Sequence, residues 1–223
     1  MSSEGNPSDV EVTPHDRGNL IVVSAPSGAG KSTLVERAVR MLDRLKYSIS
    51  YTTRPPRGKE REGEDYFFVA PEEFLAMRDR GDFLESAEVH GFLYGTHCGA
   101  VNRMLDEGND VILDIDVQGA EQIRSQMPEA VTVFILPPSR EVLESRLRLR
   151  NLNAPADLER RMRNAAGEVR LFERFDYVIV NDDLERASNM LQGIITAERQ
   201  RSDRQRTAAR SIISTFGGES IHA

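Results

Sequence analysis

Eight consecutive residues, Ala25-Pro26-Ser27-Gly28-Ala29-Gly30-Lys31-Ser32, match the phosphate-loop pattern G-x-x-x-x-G-K-[ST] except that alanine stands at the first position. Allowing alanine or glycine there, average residue frequencies predict roughly 0.02 chance matches in a chain of this length, so the run calls for a chemical reading. Between a strand and a helix, the backbone N–H groups of such a loop and the helix N-terminus converge on a polyphosphate, and the glycines let it approach closely. Lys31 would neutralise the β and γ oxygens. The Ser32 hydroxyl, first on the helix, would ligate a Mg2+ bridging those phosphates; an ordinary helix-capping serine is the plainer alternative. Thr33 shares that first turn and completes the triphosphate-binding set.

A second anion site lies farther along. In Ser50-Tyr51-Thr52-Thr53-Arg54-Pro55-Pro56-Arg57-Gly58, two arginines stand three apart on a proline-stiffened loop, an arrangement suited to grip a compact dianion from two sides. A nucleotide acceptor would supply that dianion. Arg146, Arg148, Arg150, Arg160, Arg161 and Arg163 cluster around an unpatterned 151–155 link, as in a mobile arm that closes over anions. A solvated helix face accounts for most of them. The histidines His15, His90, His97 and His222 form no pattern with a nucleophile or a metal set, and the lone Cys98 reads as a small residue in a reducing compartment.

These groups need a frame. Residues 20–25 form a β-branched apolar run that ends on the loop, and Leu34, Val35, Ala38, Val39 and Leu42 recur at helical spacing beyond it. The order is therefore strand, loop, then a helix starting near Lys31. Short apolar runs at 111–113, 131–136 and 177–180 each precede a helix, starting near Gly119, Ser139 and Leu184. The alternation predicts an α/β fold with a parallel sheet covered by helices. Two stretches interrupt it. Residues 51–96, with strand-like 66–69 and 83–89 around a helix-like 71–80, read as a small mixed α+β subdomain, and about 146–163 as the closing arm. The core would then comprise 18–50 and 97–210, with tails at 1–17 and 211–223.

Composition narrows the partners. The 223 residues, 39% hydrophobic, suffice for one buried core with small appendages. With 29 basic against 36 acidic residues and a net charge of −7, non-specific binding of nucleic acid or of an anionic membrane is not expected. No apolar run approaches the roughly 18 residues of a membrane span, and the first 18 residues lack a signal-peptide core, which places the protein in the cytoplasm.

Behind the phosphate loop come, in order, Asp65-Tyr66-Phe67-Phe68, Phe83-Leu84-Glu85, Tyr94-Gly95-Thr96, Leu113-Asp114-Ile115-Asp116-Val117-Gln118-Gly119 and Val180-Asn181-Asp182-Asp183. Together with the loop they closely resemble guanylate kinase of the bacterial type, almost without gaps from about 18 to 200. The resemblance implies a P-loop nucleoside monophosphate kinase fold, in which a parallel-sheet core carries a GMP-binding subdomain and an arginine-bearing lid. Residue by residue, it implies that Arg54, Arg57, Tyr66 and Tyr94 hold the GMP phosphate while Ser50, Glu85, Thr96 and Asp116 surround the guanine. Asp114 would hold Mg2+ through water. Arg146, Arg150 and Arg161 would join Lys31 at the migrating phosphoryl group, and Asn181 would contact the adenine of ATP. Asn151 follows Arg150 where the family usually has glycine. The chemistry of the base agrees: guanine offers N1–H and an amino group to carboxylates, and O6 to a hydroxyl donor.

The implied reaction is transfer of a phosphoryl group from ATP to GMP, and by extension dGMP, with oligomeric state left open. A phosphate monoester loses its second proton near pH 6, so the attacking oxygen needs no base. Catalysis would rest on alignment and charge neutralisation. The competing class is a non-enzymatic guanylate-kinase-like module that binds phosphorylated peptides; such modules typically lack a working phosphate loop, whereas Gly30, Lys31 and Ser32 are present here. A GTP switch protein would have no need of the clamp formed by Arg54 and Arg57.

Overall fold

The computed structural model describes residues 17–89, 91–149 and 155–216. The chain begins with β1 (Leu20–Ser24), the phosphate loop, α1 (Lys31–Met41) and β2 (Leu45–Tyr47). It then makes β3 (Tyr51–Thr52), β4 (Phe67–Phe68), α2 (Pro71–Asp79), β5 (Phe83–Val89) and β6 (Phe92–His97). Thereafter helices and strands alternate: α3 (Cys98–Asp106), β7 (Asp110–Asp114), α4 (Val117–Gln126), β8 (Val131–Leu136), α5 (Arg140–Leu149), α6 (Pro155–Glu168) with a 3-10 turn at Val169–Arg174, β9 (Tyr177–Val180), α7 (Leu184–Arg199) and α8 (Arg206–Thr215).

Five strands pair in parallel in the order β2-β7-β1-β8-β9, with β1 in the middle. All five residues of β1 are buried, because helices cover both faces and each alternate side chain meets one of them. Ile21 and Val23 point to the face packed with Leu34, Val35 and Ala38 of α1 and Leu191 and Ile195 of α7. Leu20 and Val22 point to the opposite face, with Val101 and Leu105 of α3 and Ala120 and Ile123 of α4. At roughly 1.5–3 kcal/mol per buried aliphatic side chain, this double-sided burial is what anchors the central strand. Parallel strands end on the same edge, so the phosphate loop, Asp114 and Asn181 all emerge there, where ligands bind in open α/β sheets.

A second, four-stranded sheet in the order β4-β3-β6-β5 is formed between Tyr51 and His97. Its small core is aromatic: Phe74 stacks on Phe83 at 4.6 Å and Tyr51 on Phe67 at 4.7 Å between ring centroids. The sequence pattern predicted two strands here and the structure has four. The third and fourth differ in kind, since β3 is only two residues long and β6 carries Gly95 among polar residues, so neither has a period to read.

The arm is helical over its described residues. Leu143 and Leu147 of α5 meet Ala165 of α6, with Leu158 and Met162 packed alongside. Residues 150–154, including Arg150 and the Asn151 that replaces the family glycine, lie outside the described part, as do 1–16, His90 and 217–223. The expected tail from 211 needs correcting: α8 continues to Thr215, its Ile212 and Ile213 exposed. Its polar and basic lead-in masked an ordinary helix-forming stretch.

Candidate functional site

The phosphate loop is built as its sequence demands. Gly28 and Gly30 adopt φ of 91° and 97°, a region closed to most side chains, and Gly30 caps α1 without any side-chain cap competing for the helix N-terminus. Ala25, at the position where the pattern has glycine, is buried with its methyl inside the core cluster, so this site accommodates a Cβ. Gly30 does not. A Cβ there would fall 2.3 Å from Nδ2 of Asn181, which itself donates to the Ala29 carbonyl at 2.7 Å. Gly30→Ala is expected to destabilise the fold by about 1–3 kcal/mol, lowering Tm by several degrees in thermal denaturation.

Around the loop opens a cleft of about 440 Å³, bordered by Lys31, Ser32, Asp114, Asp116, Arg161 and Glu168. Lys31 donates to the Ile115 carbonyl at 2.8 Å and pairs with the Asp114 carboxylate. Ser32 and Thr33 are exposed in the first turn of α1. A hydroxyl at Ser32 and a carboxylate at Asp114 border the same space, a pair of hard oxygens of the kind Mg2+ prefers. Among the described residues no group of three or more His, Cys, Asp or Glu is arranged to hold a metal alone, so further ligands would be phosphate oxygens and water.

A second group of polar side chains is gathered in and beside the four-stranded sheet. Arg54 is buried, its Nε donating to the Tyr94 hydroxyl at 3.1 Å and its guanidinium lying 5.2 Å from the centroid of the Tyr66 ring. Arg57 is exposed at the rim. Deeper in, Glu85 is 5% exposed and Thr96 1%, and the Thr96 hydroxyl donates to Glu85 at 2.7 Å. Burial raises the Glu85 pKa to about 7; the Thr96 hydrogen bond opposes this, and the nearby Asp116 charge adds to it. Glu85 also presses on the first turn of α4: a Cβ on Gly119 would meet its Oε2 at 2.8 Å. Asp116 caps that same turn, accepting from the Gly119 N–H at 2.8 Å while lining the cleft. Ser50 is half-buried where the chain enters β3, its carbonyl accepting from Phe67 at 2.9 Å.

The arginine side is divided. Arg161 reaches the loop, donating to the Ser27 hydroxyl at 3.3 Å while Asp157 holds its Nε at 3.0 Å. Arg146 is turned inward onto two backbone carbonyls, Ala29 at 3.3 Å and Asn181 at 2.9 Å. With the Asn181 amide on Ala29 as well, these two side chains brace the loop from behind, and neither borders the cleft. Arg150 lies outside the described residues.

Three carboxylates escaped the sequence reading: Glu60, Glu168 and Glu88, the last also bordering the cleft. Glu60 pairs with Arg54, and its signal was a carboxylate three residues past Arg57 on the same stiff loop. Glu168 lines the phosphate cleft at the end of α6; it stands seven residues, about two turns, from Arg161 and therefore on the same helix face. Burial raises its pKa, with Asp116 adding to the rise and Lys31 and the Ser27 N–H opposing it.

Taken with the fold, Ser32 and Asp114 beside the glycine loop share a recess with Tyr66, against which Arg54 packs. Comparison with known proteins gives this arrangement a context. A family model described as guanylate kinase matches residues 17–198. A guanylate kinase of Koribacter versatilis is 50% identical over 82% of this chain and 80% of its own length, and one of Alkalilimnicola ehrlichii is 51% identical over 84% and 93%. The crystal structure of guanylate kinase from Anaplasma phagocytophilum superposes with a TM-score of 0.74 at 35% identity, covering 92% of this chain and 98% of that one.

Proposed function

The chain belongs to the guanylate kinase family, an enzyme transferring a phosphoryl group from ATP to GMP, and we propose how its residues divide that reaction. One observation supports the division above all: Ser32 of the loop and Asp114 share a recess with Tyr66, whose ring lies against the Arg54 guanidinium, while Asp116, the neighbour of buried Glu85, lines the cleft at Lys31. ATP occupies the loop. GMP places its phosphate at Arg54, Arg57, Tyr66 and Tyr94, and its base at Ser50, Glu85, Thr96 and Asp116.

Lys31 gives up its contacts to Ile115 and Asp114 for the β and γ oxygens of ATP. An oxygen of the GMP phosphate, already ionised, attacks the γ phosphorus in line, and ADP leaves with the electron pair of the broken bond. Arg161 covers the charge spread over the migrating group. Arg146 and Asn181 act one step back, fixing the loop that holds the donor. Mg2+, when held at Ser32 and near Asp114, supplies charge neutralisation on the triphosphate. The 51–96 subdomain and the 146–163 lid close on the two substrates and exclude water, which would otherwise consume ATP. No assigned residue reads the ribose 2′-hydroxyl, so dGMP is accepted too. No described helix is long and apolar enough to cross a membrane, and we place the reaction in the cytoplasm.

A coupled assay with ATP, Mg2+ and GMP, dGMP, AMP, UMP or CMP tests this. Turnover is expected with GMP and dGMP, and lower by about a hundredfold or more in kcat/KM with AMP, because each unpaired buried group costs roughly 1–3 kcal/mol. Binding of GMP with no turnover in the presence of ATP would favour the phosphopeptide-binding module instead.

A further inference from the structure

Arg54 has five N–H donors, and their partners can be counted. Nε donates to the Tyr94 hydroxyl at 3.1 Å; Nη1 donates to the Pro55 carbonyl and to Glu60 Oε2, both at 2.9 Å; Nη2 donates to Glu60 Oε1 at 2.9 Å. Among the described residues, one N–H of Nη2 is left without a partner. Because Glu60 covers the end of the guanidinium shared by Nη1 and Nη2, the remaining N–H lies on the side edge, next to Nε and hence next to the Tyr94 hydroxyl. That hydroxyl accepts from Nε, which leaves its own proton to donate outward. Glu60 also accepts the backbone N–H of Arg57 at 2.7 Å, so the same carboxylate fixes the loop that carries the second arginine.

We propose that Glu60 is a positioning residue of the acceptor site: it occupies the end of the Arg54 guanidinium and thereby reserves the side edge, with the Tyr94 hydroxyl, for the phosphate of the acceptor nucleotide. This rests on the reading of Arg54 and its neighbours as the GMP phosphate clamp, and deepens it. Two consequences separate it from simple charge attraction. The acceptor phosphate takes one N–H from Arg54 and one O–H from Tyr94, a mixed pair that only a guanidinium held at its far end can present. The clamp also carries one net positive charge, since Glu60 cancels one of its two arginines, so geometry contributes more to holding the dianion than the arginine count suggests. The alternative is that Glu60 merely stands in for the phosphate and leaves when GMP arrives; it predicts the opposite sign.

The experiment compares GMP with guanosine, which shares the base and ribose and lacks the phosphate. Binding of each is measured by calorimetry, with guanosine also read as a competitive inhibitor against GMP, for the native protein, Glu60→Gln, Tyr94→Phe and the double variant. Glu60→Gln should weaken GMP roughly tenfold, the loss expected for disturbing one charge-assisted hydrogen bond, raise the GMP KM by a similar factor, and leave guanosine affinity and the ATP KM within twofold of native. Tyr94→Phe should also weaken GMP selectively, and the double variant should lose less than the product of the two single effects because both act on one edge. Unchanged or tighter GMP binding in Glu60→Gln overturns the proposal in favour of displacement. Equal weakening of GMP and guanosine overturns it as well, since Glu60 would then support the subdomain generally. If Glu60→Gln does not fold, Tyr94→Phe decides: a GMP affinity equal to native removes the mixed pair. Native protein that binds guanosine as tightly as GMP would instead refute the clamp itself.

Discussion

Replacing Lys31 with alanine is expected to lower kcat by roughly two to three orders of magnitude at saturating ATP and GMP, the loss that follows removal of one preorganised donor at developing charge, about 3–4 kcal/mol. Lys31 is placed for this because the loop sets it at the start of α1, and among the described residues the Ile115 carbonyl and the Asp114 carboxylate hold it. Both partners sit at the end of β7, so the ammonium can swing from sheet edge to phosphate without leaving the cleft. GMP affinity, read by calorimetry, should stay within a few-fold of native, because Lys31 makes no hydrogen bond or ion pair with Arg54, Tyr66, Glu85, Tyr94 or Thr96 among the described residues. A native-like rate constant in Lys31→Ala would remove the loop from the mechanism. The charge of the ammonium also favours the ionised forms of buried Glu85 and half-buried Glu168, so the substitution should push the Glu85 pKa higher still.

How much of this could be read beforehand depended on length and period. Strands β8 and β9 start and stop where the apolar runs do, and α1 starts at Lys31, because each is backed by core on a regular spacing. β2 was invisible: only Leu45 of its three residues is buried, so it has no pattern, and its pairing with β7 supplies what its sequence lacks. The residues proposed to surround guanine could be named from type and order, yet the Thr96–Glu85 hydrogen bond arises from pairing β5 with β6 and the pressure of Glu85 on α4 from packing β5 against that helix, which no local window contains. Arg146 and Asn181 show the converse. Their residue types fit nucleotide contacts, and no local window shows that both side chains also donate to carbonyls of buried residues at the loop, Arg146 to Ala29 and Asn181 and the Asn181 amide to Ala29.

The site is also a place where stability is given up for recognition. Four acids, Glu88, Asp114, Asp116 and Glu168, border the cleft beside Lys31 and Arg161, and Glu85 lies just behind them. A surface built only for folding would not gather carboxylates in a recess already destined for two polyanions. Their presence makes sense if each has a ligand donor to meet, and Glu85, buried deepest, makes the sharpest case.

For Glu85 the expectation concerns pH and can be given a sign. Its folded pKa of about 7 exceeds the ordinary 4.5, so between these values the folded state binds more protons than the unfolded one. Its contribution therefore favours folding below about pH 4.5 and is lost as pH rises to about 7, a swing on the order of 3 kcal/mol. Glu85→Gln removes the ionisation while keeping an oxygen for the Thr96 hydroxyl, so the variant should melt several degrees higher than native at pH 8 and much closer to it at pH 5. Guanine reverses the balance. Its N1–H and amino donors need the carboxylate ionised, so GMP affinity should rise from pH 6 to pH 8 by more than the second ionisation of its own phosphate explains, with proton release on binding at pH 7. Glu85→Gln, facing the guanine donors with an amide, should lose that excess pH dependence, raise the GMP KM about a hundredfold and narrow the preference over AMP by a similar factor, the effect of two mismatched hydrogen bonds. A variant no more stable than native at pH 8, yet unaltered in its choice between GMP and AMP, would show that this carboxylate neither strains the fold nor reads the base.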